Sequence, residues 1–366
     1  HLAHAANAFY SSNFDDAVIL TIDGGGEEIV EIDPETGVPK TRETSLTAYV
    51  GNDLELDNLR VYSPHLSLGT YWTIICKDVY GFAVGPPWGH KAGTLMAMGA
   101  YGNYERYLSL FMREMENGQW QPIIRENIGS IRQALHEDEQ SAFDIAASLQ
   151  WVTEFIIYSV LDDVFSDPRA TSKNLCLAGG VSLNSVMTHK LYERYEGRIE
   201  NIYCAPVPYD SGLAIGNAQY HWHNVLRNPR IKWEDNFSPY LGELYSEEDV
   251  RAAIEGESDI LKVQKATDTK VLNLIDKQQI VAVFGGPSES GRRALGNRSI
   301  LVDPRSPTMK DHINERVKHR QWWRPFAPSI LREEVSNWFV RDYDSPYMSF
   351  VNYFKEEVRD QVPAVL

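Results

Sequence analysis

Residues 16–27 read DAVILTIDGGGE, and the fold turns on how this stretch ends. Ala17, Val18, Ile19, Leu20 and Ile22 form an apolar run that predicts a strand buried on both faces, ending at Ile22. Asp23 and the glycines from Gly24 to Gly26 follow. A carboxylate at a strand end, followed by residues without a Cβ, presents an acidic ligand and open backbone N–H groups to a metal or nucleotide. Asp23 is therefore a candidate metal ligand, and Gly24 and Gly25 are candidate nucleotide contacts. The bland alternative is a glycine hairpin turn with residues 28–32 as the returning strand. Three glycines where one or two suffice favour the functional reading.

Working outward, residues 1–10 (HLAHAANAFY) space Leu2, Ala5, Ala6 and Phe9 as one helical face, with His1 and His4 three apart. Ser11, Ser12 and Asn13 break that helix. Residues 30–59 read as polar and turn-rich, with a turn at 33–37. A core helix over 69–82 carries Trp72, Ile75, Cys76 and Val79. A loop follows at 85–89, then a small, methionine-bearing segment at 91–102 and a long amphipathic helix at 143–165. A second strand–glycine unit runs from Asn174 through Gly179 and Gly180 into a helix over 182–195, a geometry that aims backbone donors at an anion or ribose. A strand at 201–204 and a turn at 206–208 lead to Asp210, which opens a helix over 213–225. The simplest role for Asp210 alone is that helix's N-cap. His1, His4, Asp23 and Asp210 together make a candidate metal set, since imidazole plus carboxylates suits iron(II), manganese or zinc.

Residues 285–330 have a different character. Arg292, Arg293, Arg298, Arg305, Lys310, Arg316, Lys318, Arg320 and Arg324 crowd a segment whose acids after Glu289 are Asp303, Asp311 and Glu315. Glycine and serine at its entry, with planar arginine donors behind them, suit phosphate or carboxylate. The alternative is a solvated basic helix over 309–320, which would account for Lys310, Arg316 and Arg320. Around this block the pattern predicts a Ser246-capped helix to Ile254, a helix over 268–275, a strand over 279–284, a helix over 333–339 and a strand over 346–353. The irregular stretch 227–245 reads as a boundary between domains 1–240 and 241–366.

The chain's 366 residues suit two domains, and 43% apolar and 23% charged residues are ordinary globular values. The formal charge is −16, which disfavours nucleic acid and acidic membranes as partners. Cys76, Cys176 and Cys204 show neither metal spacing nor a disulfide framework, favouring a reducing, cytoplasmic setting. No apolar run reaches the roughly 20 residues that a membrane helix needs.

Two strand–glycine units about 150 residues apart resemble the lobes of a duplicated α/β ATP-binding fold. More specifically, the chain resembles the NodU/CmcH/TobZ-type O-carbamoyltransferases. The resemblance rests on residues 1–27, on LAGGVSLNSV (177–186), on PVPYDSGLAIGNA (206–218), and on ESGRRALGNRSILVDPR (289–305) continuing to MKDHINERVKHRQWWRPFAPSIL (309–331). It implies an α/β chain in which a Kae1-like domain of the actin/hexokinase-type ATPase fold precedes a YrdC-like α/β domain. Strands of the first would precede His1, and a closing segment of the second would follow Leu366. In such enzymes ATP and carbamoyl phosphate form a carbamoyl-adenylate in the YrdC-like part. The carbamoyl group then passes to a substrate hydroxyl in the Kae1-like part, where Fe(II) or another divalent metal is bound; Mg(II) is a further candidate ion.

The resemblance carries over residue by residue. His4 would be the second histidine of a His-x-x-x-His ligand pair whose first member would precede His1, while His1 takes an accessory catalytic role. Asp23 and Asp210 match the metal-binding aspartates. Gly179, Gly180 and Asn184 match the nucleotide-contacting turn. Arg293, Lys318 and Arg324 match the basic residues of the carbamoyl phosphate site, with Arg298 beside them. The chain departs from the family pattern at Arg292, where proline is usual, and at Gly93-Thr94, where a glycine–lysine pair is common. A small-molecule hydroxyl compound would be the acceptor, and a homodimer is a candidate assembly. The rival readings are a tRNA threonylcarbamoyl-type enzyme, against which the net charge argues, and a non-catalytic nucleotide-binding protein.

Overall fold

The apolar run at 17–22 becomes the centre of a five-stranded sheet. In the computed structural model, which describes residues 1–32, 39–82, 91–257 and 262–366, helix α1 (Leu2–Ser11) leads into strand β1 (Asp16–Ile32). Strands β2 (Pro39–Asn52) and β3 (Glu55–Val61) extend the sheet antiparallel on one side. Strands β4 (Asn174–Ala178) and β5 (Asn201–Cys204) extend it parallel on the other, giving the order β3-β2-β1-β4-β5.

Here the structure departs both from the expected strand end and from the hairpin alternative to it. The strand does not end at Ile22, and residues 28–32 are not a returning strand. Pairing of β1 with β2 runs from Asp16↔Asn52 to Ile22↔Leu46 and resumes at Gly26↔Thr44. Asp23, Gly24 and Gly25 thus oppose Ser45 alone, a bulge that throws the acid out of the ladder. Nor are residues 39–61 turn-rich, since they form two strands. Threonine misled the composition, because it is a β-former whose hydroxyl can be satisfied locally. The Thr44 hydroxyl, for example, donates to the carbonyls of Leu46 at 2.8 Å and Tyr62 at 3.0 Å. The expected turn at 33–37 and loop at 85–89 fall outside the described residues.

Alanines let α1 lie close on the sheet. Ala5, Ala6, Ala8, Phe9 and Tyr10 are buried against Ala17, Ile19, Tyr49, Cys176 and Ala178. Helix α2 (Leu68–Ile74) and the π-turn after it (Ile75–Val79) bury Trp72, Ile75, Cys76 and Val79, as the sequence pattern predicts. The Trp72 indole donates to Thr153 at 2.9 Å from α4 (Ser141–Ser166), the longest helix of this unit; α3 (Ala92–Gly99) lies between them in sequence. After β4 come α5 (Ser185–Arg194) and, beyond β5, α6 (Leu213–Tyr220). The three cysteines are buried thiols.

Contacts divide the chain into two units, His1–Phe237 with Ser349–Val351, and Ser238–Met348 with Asn352–Leu366. Arg230 explains why residues up to 237 stay with the first. Its guanidinium donates to the carbonyls of Phe9 at 2.7 Å and Ser12 at 3.0 Å and lies over the Phe9 ring. It thereby satisfies the open C-terminal end of α1.

The second unit holds α7 (Glu247–Gly256), α8 (Asp268–Asp276), the hairpin β6 (Val281–Phe284) and β7 (Arg298–Leu301), and α9 (Met309–Arg316). Ser246 and Asp249 form the expected capping box of α7. The small core is Met309, Ile313 and Ala364. Residues 346–353 do not form the predicted strand. Met348 takes φ +54°, a left-handed conformation that interrupts extended backbone, and a lone bridge joins Phe339 to Phe354. Among the described residues no helix is long and apolar enough to cross a membrane.

Candidate functional site

Helix α1, the β1 bulge and the turn before α6 bring His4, Asp23 and Asp210 together. His4 Nε2 lies 3.0 Å from an Asp23 carboxylate oxygen and 3.6 Å from one of Asp210. His4 is buried, the Asp23 side chain is 20% exposed, and that of Asp210 is 82% exposed. Asp210 does not cap a helix through its side chain, so the N-cap expectation is corrected. Burial alone would push the Asp23 carboxyl up. The hydrogen bond and charge of His4, with the N–H groups of Gly24 and Gly180, outweigh burial and hold it below its usual range.

The donor set fits a divalent cation. One imidazole nitrogen and two carboxylate oxygens lie within 4.8 Å of one another. Ligands about 2.1 Å from a common ion, at tetrahedral or octahedral angles, sit roughly 3.0–3.4 Å apart, close to the two distances from His4. Among the described residues His4 Nδ1 is buried without a hydrogen-bond partner, so none of them supplies the outer contact that usually orients a ligating histidine.

His1 is placed differently. Its Nδ1 lies 2.7 Å from the Thr21 hydroxyl and its Nε2 lies 3.2 Å from the Thr44 carbonyl, so both nitrogens engage the β1/β2 ladder beside the bulge. The His1 and His4 ring centres are 6.3 Å apart.

The glycines also resolve into distinct jobs. The Gly24 N–H donates to Asp23 at 2.7 Å, and its carbonyl accepts from Ser67 at 2.6 Å and Thr70 at 2.9 Å. Gly25 is exposed with open space around it. Gly179 has φ +86°, and a Cβ there would lie 2.2 Å from the Ile22 carbonyl oxygen. Only glycine lets β4 meet the bulge so closely. The Gly180 N–H donates to Asp23 at 3.2 Å, so the second glycine unit supports the acid of the first.

Asn184 caps α5 by accepting from the Met187 N–H at 3.1 Å. It also donates to Gln150 on α4 at 2.8 Å. Gln150 in turn donates to the buried Glu154 at 2.8 Å, which also accepts from Lys190 at 2.7 Å. The sequence shows Gln150 and Glu154 only as polar residues of a helix too polar to span a membrane, with no role in a site. Their spacing four apart on one face of a long helix was the available signal, because buried polar groups require partners.

In the second unit, buried Glu289 organises the glycine–arginine loop. Its carboxylate accepts from the N–H groups of Leu295 at 2.7 Å and Asn297 at 2.9 Å and from Arg298 Nε at 2.9 Å. Arg298 also reaches the Gly291 carbonyl, so its guanidinium is held within the loop. Arg293 and Arg324 lie close enough for their charges to interact. Burial first, and the Arg293 charge second, lower the Arg324 pKa. Lys318 is exposed. Arg320, read from sequence as a surface charge, is instead half-buried over the Phe326 ring, 4.6 Å from its centre.

These two regions are also the two that match known proteins. Residues 1–219 match the carbamoyltransferase N-terminus family, and residues 272–366 match the carbamoyltransferase C-terminus family. The chain belongs to the carbamoyltransferase family. It is 34% identical to the uncharacterized protein sll1178 of Synechocystis, over 98% of this chain and 59% of that protein. It is 31% identical to nodulation protein NolO of Bradyrhizobium diazoefficiens, over 96% of this chain and 62% of that protein. Identity to nodulation protein U of Sinorhizobium fredii is 29%, over 75% of this chain and 50% of that protein. The chain thus spans half to 62% of the length of these relatives.

Proposed function

We propose that the protein is an ATP-dependent O-carbamoyltransferase. In the second unit carbamoyl phosphate loses phosphate to water, the resulting carbamate oxygen bonds to the α-phosphorus of ATP as pyrophosphate leaves, and residues of the first unit deliver the carbamoyl group of this carbamoyl-adenylate to a hydroxyl of a small-molecule natural product or sugar. The observation that supports this reading is the match of residues 1–219 and 272–366 to the carbamoyltransferase N- and C-terminus families, with Arg293 and Arg324 in the second supplying donors suited to a phosphoryl group. Lys318, exposed on the same loop as Arg324, adds an ammonium. The mixed sheet, antiparallel on one side of β1 and parallel on the other, supports an actin/hexokinase-type, Kae1-like first unit. A YrdC-like second unit follows from the same resemblance.

His4, Asp23 and Asp210 would hold the divalent metal, Fe(II) in this reading. When bound, such an ion supplies positive charge that orients phosphate and polarises a carbonyl. The chain's own residues do the rest. Gly24 and Gly180 fix the Asp23 carboxylate, while Gly25, exposed with open space around it, gives nucleotide phosphates close backbone approach. In the transfer step the acceptor oxygen bonds to the carbamoyl carbon and the bond from that carbon to the AMP oxygen breaks. The hydroxyl proton passes to a base and AMP leaves. The net charge of −16 supports a small acceptor over a nucleic acid.

The test uses the full-length protein, with AMP and pyrophosphate release from ATP followed with and without carbamoyl phosphate. Release that requires carbamoyl phosphate is expected. Its absence would overturn the proposal.

A further inference from the structure

Asn314, on the last turn of α9, is among the most buried polar residues of the second unit, at 1% exposed. One carboxamide there serves three groups of the following loop. Its oxygen accepts from Arg320 Nε at 2.7 Å. Its NH2 donates to the Arg324 carbonyl at 3.0 Å and, more weakly, to the Trp322 carbonyl at 3.4 Å. The Asn314 backbone carbonyl also accepts from the Arg320 N–H at 3.0 Å.

Arg320 completes the brace. Its NH2 donates to the Pro325 carbonyl at 3.1 Å, and its guanidinium stacks on Phe326. The loop from 317 to 325 has no regular secondary structure of its own, and His319 takes φ +45°. These side-chain bonds therefore add to the few backbone bonds it has, such as Arg324 N–H to the Gln321 carbonyl at 3.2 Å, where a helix would satisfy its backbone by itself. Arg324 is the residue that this brace sets in place.

We infer that Asn314 is a positioning residue for the anion site: through Arg320 and the Arg324 carbonyl it fixes where the Arg324 guanidinium meets a phosphoryl group. The inference rests on the proposed reading of Arg324 as an anion-binding residue. It adds a residue that touches neither substrate nor reacting atoms. The brace carries a further signature, because the Arg320 pKa is lowered to about 10, first by burial and then by the Arg324 charge. The Arg320 cation is thus held by the neutral Asn314 and Pro325 oxygens within reach of the Arg324 charge.

The phosphoryl group could belong to carbamoyl phosphate or to ATP, and the test separates the two. Asn314→Asp keeps the oxygen that faces Arg320 but loses both donors to the loop carbonyls, and it adds a negative charge. Arg320→Lys keeps the charge but loses the planar fork that spans Asn314 and Pro325. In the full-length protein, kcat and KM for carbamoyl phosphate and for ATP are measured separately by pyrophosphate release, with thermal unfolding alongside. Each variant should raise one of the two KM values by about 10- to 100-fold, the size of a lost charge-assisted hydrogen bond, while kcat at saturation falls less. The substrate whose KM rises identifies the group bound. If Asn314→Asp does not fold, Arg320→Lys decides. Folded variants with both KM values at wild-type levels would overturn the inference while leaving the proposed function intact. A wild-type protein without carbamoyl phosphate-dependent turnover would instead remove the reading beneath it.

Discussion

The metal-type trio and the cationic loop solve one problem by opposite means. His4, Asp23 and Asp210 ride on α1, a bulge of β1 and the turn before α6, so that a helix or strand carries or adjoins each of them. The cationic loop has little such support. Its shape is tied by single buried side chains, Glu289 on one side and Asn314 on the other, that bond to backbone groups of the residues they arrange. Ladder-borne sites therefore ought to lose function when a ligand is removed and stability when the ladder is broken. Side-chain-tied sites ought to lose substrate affinity when the tie is cut.

The largest effect is expected from Arg324→Ala. It removes a partly buried guanidinium beside Arg293, and carbamoyl-adenylate formation should become undetectable while the circular dichroism spectrum is kept. Wild-type rates would show that the loop is only a solvated face. Next come Asp23→Asn and Asp210→Asn. Each should weaken divalent metal binding by at least about 10- to 100-fold, read by metal analysis of protein purified with iron(II). Full occupancy in either variant would refute that ligand.

A third effect belongs to the ladder. Gly179→Ala places a methyl group 2.2 Å from the Ile22 carbonyl oxygen at φ +86°. It should destabilise the first unit by about 2–4 kcal/mol in chemical unfolding, with little change in the second. A smaller change is expected from Glu289→Gln. Burial would raise the Glu289 pKa, but the N–H groups of Leu295 and Asn297 and the Arg298 side chain lower it overall. A depressed folded pKa means that its contribution is fully present above the unfolded value of about 4.3 and is lost as pH falls through the folded value. Glu289→Gln should therefore lower stability at neutral pH and flatten the acid limb of the stability curve, as thermal melts from pH 7 to pH 3 would show.

The sequence made the trio legible as residue types and as a resemblance, but not as a geometry. Asp16–Ile22 announced itself by an unbroken apolar run. The bulge did not, because the three residues from Asp23 to Gly25 opposite Ser45 are a property of pairing, and register is set by the partner strand. Strand β2 hid behind its threonines for a related reason, since composition counts hydroxyls as surface although Thr44 and Thr47 are buried in the sheet, the Thr44 hydroxyl bonded to local carbonyls. In the cationic loop, sequence located the arginines but could not sort them. Arg298 is held by Glu289, and Arg320 leans on Asn314 and Phe326. Nothing in the spacing of a lone asparagine distinguishes a loop brace from a solvated helix residue.

The division of labour between the two regions is the central claim, and one paired measurement tests it most directly. Asp23→Asn and Arg324→Ala are assayed side by side in the full-length protein for pyrophosphate release and for carbamoylated product. The account predicts that Asp23→Asn still releases pyrophosphate in the presence of carbamoyl phosphate but makes no product, while Arg324→Ala does neither. Equal loss of pyrophosphate release in both variants, or product formation by Asp23→Asn at the wild-type rate, would contradict it.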